Sequence, residues 1–172
     1  LVFIAYPNNP TGNTFDREAI ETIIQSTEAM VVLDEAYYAY AGDSFITDIA
    51  KYPNLVVLRT VSKIGFAGLR LGLLVGNAQT VAELDKLRLP YNINTLTQMS
   101  ANFLLQQKTM ISDNASVIIE QRQQLLNELN SVAGLTAYPS QANFILFKAP
   151  QAQALFDYLK ANGVLIKNLS SA

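Results

Sequence analysis

The sequence has no cysteine and no histidine among its 172 residues. The absence of cysteine excludes disulfide bonds and thiolate metal sites, and the absence of histidine removes the commonest general base and metal ligand. Any catalysis must therefore depend on Lys, Asp, Glu, Tyr or Ser side chains, or on a cofactor. We expect no metal site.

Charge is also scarce. Charged residues make up 15% of the chain and the formal net charge is -2, so no basic surface is available for nucleic acid or an anionic membrane. No apolar run approaches the roughly 18 to 20 residues that cross a bilayer. The first residues lack the basic segment of a signal peptide. These features favour a cytoplasmic location.

The chain has enough apolar residues to form a substantial core, because they account for half of the sequence. Its length suits one ordinary domain. The chain does not start with Met, and its first residues already follow a strand pattern. We therefore expect it to be a fragment of a longer protein.

Three apolar runs of the kind found in buried strands lie in the first part of the chain. Residues 15–27 between the first two have helical spacing, with Thr14 as the expected N-cap. The alternation predicts an α/β fold with a mainly parallel sheet. A further run at 69–75 follows a short loop, so we expect that strand to be antiparallel. The three apolar runs are 1–6, 30–33 and 55–60.

The second part of the chain predicts long helices and a small α+β lobe, so we divide the chain into residues 1–89 and 90–172. Asn77 is the expected cap of the first helix, Gly163 is expected to end the last one, and Arg122 is expected on a solvated helix face. The predicted helices are 78–87, 95–107, 112–132 and 151–162, and the predicted strands are 143–147 and 164–166.

Polar residues follow the carboxyl ends of the three predicted parallel strands. These are Asn9, Asp34 and the pair Ser62 and Lys63. Open α/β sheets bind ligands at this edge. A lysine at the end of a buried strand is costly unless it serves a purpose, which favours a chemical role over a surface lysine.

Three motifs are similar to those of the fold-type I pyridoxal-phosphate (PLP) aminotransferases: YPNNPTG at 6–12, LDEAY at 33–37 and SKIGFAGLRLG at 62–72. With PYNIN at 90–94 and SQANFILF at 140–147, the set most resembles the histidinol-phosphate aminotransferases within that family. The resemblance implies part of a PLP-transferase type I large domain and most of a small α+β lobe. It covers roughly the second half of the large domain.

The resemblance also assigns roles around the cofactor. Lys63 would form the Schiff base with PLP and then move the proton at the substrate Cα. Asp34 would pair with the protonated pyridine nitrogen, while Asn9 and Tyr37 would hydrogen-bond the phenolic oxygen. The alternative for Tyr37 is a core aromatic residue, since Tyr38 lies beside it.

Ser62 and Arg70 would hold the cofactor phosphate through a hydroxyl and a forked cation. The loop between Lys63 and Arg70 is one residue shorter than in many family members. The resemblance further implies a cis peptide bond at Asn9–Pro10. Asn143 and Tyr91 are candidates for facing the substrate, with strand capping and packing under a loop as their respective alternatives.

The implied reaction is transamination between histidinol phosphate and 2-oxoglutarate in histidine biosynthesis, with an amino donor and a 2-oxo acid as ligands and a homodimeric parent. A related enzyme, such as an aromatic aminotransferase or a threonine-phosphate decarboxylase, is one alternative. A folded scaffold without activity is another, because the family's aromatic stacking residue and carboxylate-binding arginine are expected outside this chain.

Overall fold

A computed structural model describes residues 1–170 of the chain as six strands and five α-helices joined by loops and short 3₁₀ turns. None of the helices in this part of the chain is long and apolar enough to cross a membrane. The strands are β1 (Val2–Ala5), β2 (Val31–Asp34), β3 (Leu55–Thr60), β4 (Gly72–Gly76), β5 (Thr136–Ala137) and β6 (Phe147–Lys148). The helices are α1 (Arg17–Gln25), α2 (Ala78–Asp85), α3 (Thr95–Leu105), α4 (Lys108–Ser131) and α5 (Ala152–Ala161).

The main sheet has the order β1-β2-β3-β4. The first three strands are parallel, and β4 runs antiparallel to β3. The predicted mainly parallel sheet with one antiparallel strand is therefore confirmed. Strand β4 begins later than predicted because Ala67–Leu69 forms a 3₁₀ turn and Arg70 adopts a left-handed backbone conformation.

The core of this sheet lies under α1. The apolar stripe of the helix places Ile20 and Ile24 against Val31, Leu33 and Val57 of β2 and β3. Fully burying one such side chain contributes roughly 1.5 to 3 kcal/mol. This packing fixes the direction of β2 and β3, and with it the edge at which both strands end.

The start of α1 differs from the prediction. Asp16, not Thr14, is the N-cap, and its carboxylate accepts a hydrogen bond from the Ala19 N–H at 2.9 Å. The Thr14 N–H donates to the Gln141 side chain at 3.2 Å, so Thr14 belongs to the preceding loop. A carboxylate at the helix N-terminus also interacts favourably with the helix dipole.

The predicted Asn77 cap of α2 agrees with the structure, and α3 has an asparagine cap that the sequence analysis did not predict. Asn77 caps α2 by accepting from the Thr80 N–H at 2.8 Å, and Asn94 caps α3 by accepting from Thr97 at 2.9 Å. Helix α4 begins four residues before its predicted start at 112. Gly163 follows α5 with a φ of 80°, which suits its predicted role after the helix C-terminus.

Two predicted strands are wrong. Only Phe147 of the run 143–147 is in a strand, and it pairs with Ala137 of β5, which the sequence did not predict. Residues 164–166 form no strand, since the Val164 N–H donates back to Leu159 at the end of α5. The division at residue 90 stays a prediction, and the last two residues of the predicted unit 90–172 lie outside the described residues.

Candidate active site

The predicted polar residues lie along one edge of the main sheet. Asn9 is in the loop after β1, Asp34 is the last residue of β2, and Lys63 lies in the 3₁₀ turn that follows β3. Because these three strands are parallel neighbours, their carboxyl ends meet at the same edge. The exposed side chains of Asn9, Asp34 and Lys63 are therefore accessible from one side.

Tyr37 connects two of these side chains. Its hydroxyl accepts a hydrogen bond from the Asn9 amide at 3.0 Å, and its ring lies 5.3 Å below the Lys63 amine. The ring itself is buried, 7% exposed, and meets Phe144 edge to face at 5.2 Å. Tyr37 is thus a core aromatic residue, as the alternative interpretation held, and its hydroxyl also joins the polar side chains at the sheet edge (Asn9, Asp34, Tyr37 and Lys63, here called the edge cluster). Its hydrogen bond to the cofactor oxygen stays a prediction.

The turn that carries Lys63 is tight. It spans Ser62–Ile64 and ends at Gly65, whose φ of 106° is a conformation that few residues other than glycine adopt. No atom lies within 4 Å of the position that a Gly65 Cβ would take, so the space beside the turn is open. The lysine amine forms no ion pair within residues 1–170.

Successive carboxylates in the DEAY motif face opposite sides of β2. Asp34 is exposed and accepts one hydrogen bond, from the Ala36 N–H at 3.0 Å. Glu35 is fully buried and binds Arg59 at 2.9 Å, Ser44 at 2.8 Å and the Phe45 N–H at 2.7 Å. The alternation leaves Asp34 available to a ligand while Glu35 holds the loop beneath it.

The two residues expected to bind phosphate lie on the loop between β3 and β4. Ser62 is half-buried, and Arg70 is exposed with only a 3.3 Å hydrogen bond from its guanidinium to the Ala67 carbonyl. Arg70 has a φ of 51°, which an L-residue adopts at a cost of roughly 1 to 2 kcal/mol. The described structure shows no direct hydrogen bond between Ser62 and Arg70.

The remaining candidates have different positions. The Asn9–Pro10 peptide bond is cis, as the resemblance implied. Tyr91 is 97% exposed, so packing under a loop is wrong for it. Asn143 is exposed at its loop, next to Phe144. A cavity of about 700 Å³ runs from Asn9 and Phe144 towards α5 and residues 166–170.

The model of the family described as aminotransferase class I and II matches residues 1–171. This chain belongs to that family. The resemblance identified from the motifs is thereby confirmed, and the sheet with one antiparallel strand is the fold that its solved members share.

Two curated relatives of this aminotransferase chain are histidinol-phosphate aminotransferases. The chain is 73% identical over 170 residues to a histidinol-phosphate aminotransferase from Vesicomyosocius okutanii, covering 99% of this chain and 48% of that protein. It is 52% identical to histidinol-phosphate aminotransferase 2 from Nitrosococcus oceani, covering 99% of this chain and 48% of that protein. The chain therefore spans about half the length of the curated relatives it matches.

Solved structures of two aminotransferases and a decarboxylase have a backbone fold similar to that of this chain. The histidinol-phosphate aminotransferase from Clostridium acetobutylicum superposes with a TM-score of 0.89 at 26% identity, over 99% of this chain and 55% of the other. The histidinol-phosphate aminotransferase from Sinorhizobium meliloti, solved in complex with pyridoxal-5'-phosphate, superposes with a TM-score of 0.86 at 26% identity, over 99% of this chain and 50% of the other. L-threonine-O-3-phosphate decarboxylase from Porphyromonas gingivalis superposes with a TM-score of 0.85 at 25% identity, over 98% of this chain and 54% of the other.

Sequence reasoning missed the residues that support this aminotransferase site. Arg122 is half-buried and donates to the backbone carbonyls of Ala142 at 2.8 Å and Tyr40 at 3.3 Å, so its placement on a solvated helix face is wrong. Burial lowers the pKa of its guanidinium. The Glu35–Arg59 pair was also missed. An arginine within the apolar run of β3 was the available signal, because such a cation needs a buried partner.

Proposed function

We propose that this chain forms the lysine-bearing part of a PLP-dependent aminotransferase that transfers an amino group between histidinol phosphate and 2-oxoglutarate in histidine biosynthesis. The observation that carries the proposal is the Lys63 amine 5.3 Å from the Tyr37 ring, with Asn9 bonded to the Tyr37 hydroxyl, in a chain 73% identical to a histidinol-phosphate aminotransferase. The intact protein acts as a cytoplasmic homodimer.

The available side chains fit pyridoxal phosphate. The amine of Lys63 would hold its aldehyde carbon, and the exposed carboxylate of Asp34 would hold its ring nitrogen. Ser62 and Arg70 would hold its phosphate, and the open space beside Gly65 leaves room for that group. When bound, the cofactor supplies an electron-withdrawing ring that stabilises negative charge at the substrate Cα.

The protein's own groups position the ligand and move the proton. The Lys63 amine is the base that accepts and returns the proton at the substrate Cα. Because the Asn9 amide donates to the Tyr37 oxygen, the Tyr37 hydroxyl keeps its own proton free to donate to a ligand oxygen. The buried Tyr37 ring contacts Phe144 and so shields one side of this region from water.

The first experiment tests the lysine. The intact protein carrying this chain is incubated with pyridoxal phosphate, reduced with borohydride, digested and mapped by mass. We expect a pyridoxyl group on Lys63, and its loss in Lys63→Arg, while the exposed Lys51 stays unmodified as an internal control. Modification of Lys51 with none on Lys63 would rule out the cofactor assignment.

The second experiment separates the substrates. Histidinol phosphate, phenylalanine and threonine phosphate are added in turn to the loaded protein, and the cofactor spectrum and CO₂ release are followed. Conversion of the cofactor to its amine form with histidinol phosphate, without CO₂, supports the proposal. CO₂ release with threonine phosphate favours instead the decarboxylase, whose P. gingivalis representative shares this backbone.

The phosphate contacts can be tested by comparing pyridoxal phosphate with pyridoxal, which lacks the phosphate. Arg70→Asn removes the guanidinium, and asparagine tolerates the left-handed conformation of this residue. Losing a charge-assisted contact of roughly 1.5 to 3 kcal/mol corresponds to about tenfold or more weaker binding of pyridoxal phosphate. Pyridoxal binding should be unchanged, and an equal loss for both compounds would contradict the assignment.

A further inference from the structure

Tyr40 is a buried residue that contacts the lysine turn. Its hydroxyl donates to the Lys63 backbone carbonyl at 2.7 Å, although the two residues are 23 positions apart. The side chain is 4% exposed and packs in a cluster with Tyr37, Ala115 and Ala142. This bond fixes the peptide that follows Lys63.

The backbone of Tyr40 is itself held from two directions. Its N–H donates to the Tyr37 carbonyl at 3.0 Å, which closes the 3₁₀ turn after the DEAY motif. Its carbonyl accepts from Arg122 of α4 at 3.3 Å, and the same guanidinium nitrogen binds Ala142 at 2.8 Å. A continuous set of hydrogen bonds therefore leads from α4 through Tyr40 to Lys63.

The other hydrogen bonds that hold the lysine turn are local, and one of them runs from the Ser62 N–H to the Thr60 hydroxyl at 3.1 Å. Within the described structure the turn is closed by the Ile64 and Phe66 N–H groups, which share the Val61 carbonyl at 3.3 and 3.1 Å. Gly65 at its end has no atom within 4 Å of its Cβ position. The Tyr40 hydroxyl is therefore the side-chain donor that orients the Lys63 peptide from the core.

We propose that Tyr40 is a positioning residue that holds the Lys63 turn in the orientation in which the amine reaches the cofactor. The role rests on the proposed function, and Tyr40 acts through the Lys63 backbone without touching the amine. Burial raises the pKa of the Tyr40 hydroxyl, with the neighbouring Asn143 amide acting in the opposite direction. The hydroxyl therefore keeps the proton that it donates.

The test compares Tyr40→Phe with Tyr38→Phe in the intact protein. Both variants keep the ring and remove one hydroxyl, and the Tyr38 hydroxyl has no hydrogen bond to residues 1–170, while its ring stacks under Arg59 at 3.8 Å. The readouts are the rate at which pyridoxal phosphate modifies Lys63 in the borohydride assay, and hydrogen exchange at the Ile64 and Phe66 amides measured without cofactor.

We expect Tyr40→Phe to fold, to lower the rate of Lys63 modification about fivefold and to speed exchange at both amides by a similar factor, as loss of one hydrogen bond implies. Tyr38→Phe should match the wild type in both. Wild-type modification and exchange rates in Tyr40→Phe, or a lowered melting temperature alone, would overturn the proposal. If the wild type shows no modification of Lys63, the proposed function fails. The hydrogen-exchange measurement needs no cofactor, so unchanged exchange in Tyr40→Phe would refute the positioning role independently.

Discussion

Individual side chains around Arg17 form a dense charged group between α1 and the loop after the DEAY motif. The guanidinium binds Asp43 at 2.9 Å and Asp48, and it stacks on the Phe45 ring at 4.0 Å. Tyr6 donates its hydroxyl to Asp43 at 2.7 Å. Burial, followed by this hydrogen bond, raises the pKa of Tyr6 to about 12. The loop after β1 is therefore hydrogen-bonded to this group through Tyr6, whose hydroxyl loses its proton only at high pH.

This coupling predicts alkaline sensitivity that depends on Tyr6. Its pKa is higher in the folded than in the unfolded chain, so its contribution to the free energy of unfolding is complete below the ordinary value of 10.0 and is lost as pH rises to about 12. Urea unfolding at pH 8 to 12 should show a shallower decline for Tyr6→Phe than for the wild type. The exposed Tyr158→Phe is the control, and equal slopes in all three proteins would refute the prediction.

The residues of the edge cluster could be predicted from the sequence, because their motifs are short and local. Asn9, Asp34 and Lys63 each follow a recognisable apolar run. Supporting residues such as Tyr40 and Arg122 could not be predicted, since their partners depend on tertiary packing. Arg122 is 82 positions from Tyr40, and nothing in the local sequence indicates that they meet.

At the level of whole elements, α1 shows how a neighbouring contact changes a boundary. Thr14 has the residue type of an N-cap, but its N–H is bonded to Gln141 in the second half of the chain. The helix therefore begins two residues later, with Asp16 as the cap in an extended conformation. The long-range hydrogen bond holds Thr14 in the preceding loop, while the Asp16 carboxylate accepts the capping hydrogen bond.

Replacing each candidate cap tests this assignment. Asp16→Ala should lower the free energy of unfolding by about 1 kcal/mol, because the Ala19 N–H loses its acceptor. Thr14→Ala should have little effect, since the bond to Gln141 uses the backbone of residue 14. Asp16→Asn keeps the cap and should remain near the wild type. A larger loss for Thr14→Ala than for Asp16→Ala in urea unfolding would contradict the assignment.

The elements differ in how well the sequence predicted them. β3 was predicted to its last residue because a continuous apolar run with loops on both sides suits a strand buried on both faces. The runs at 143–147 and 164–166 have similar composition, yet only residue 147 finds a strand to pair with. A strand requires a neighbour, and pairing is not encoded in the composition of one segment.

The molecule as a whole is connected by contacts between its first loop and residues near 140. The Gly12 carbonyl accepts from the Gln141 N–H at 2.7 Å, and Ser140 is buried beside it. A Cβ at Gly12 would lie 2.5 Å from the Ser140 hydroxyl oxygen, and the residue has a φ of 78°. Both the conformation and the close approach require glycine. The fold class followed from the sequence, whereas this connection did not.

Gly12→Ala should therefore destabilise the protein through both effects. Backbone strain and steric overlap together should lower the free energy of unfolding by about 3 kcal/mol. Gly42→Ala is the matched control, since Gly42 has a φ of 75° but no atom within 4 Å of its Cβ position. Its cost should be limited to backbone strain of about 1 kcal/mol. Equal losses in urea unfolding would mean that the contact with Ser140 is not restrictive.

The opposite directions of Asp34 and Glu35 have a consequence for how the chain tolerates change. Replacing the exposed Asp34 should leave the amount of folded protein in a cell nearly unchanged while removing activity. Replacing the fully buried Glu35 leaves the half-buried Arg59 without its partner, a loss of roughly 3 kcal/mol that reduces abundance. In a mutant library screened separately for protein yield and for enzyme turnover, substitutions of Glu35 would therefore fail the yield screen. Substitutions of the adjacent Asp34 would pass it and fail the turnover screen.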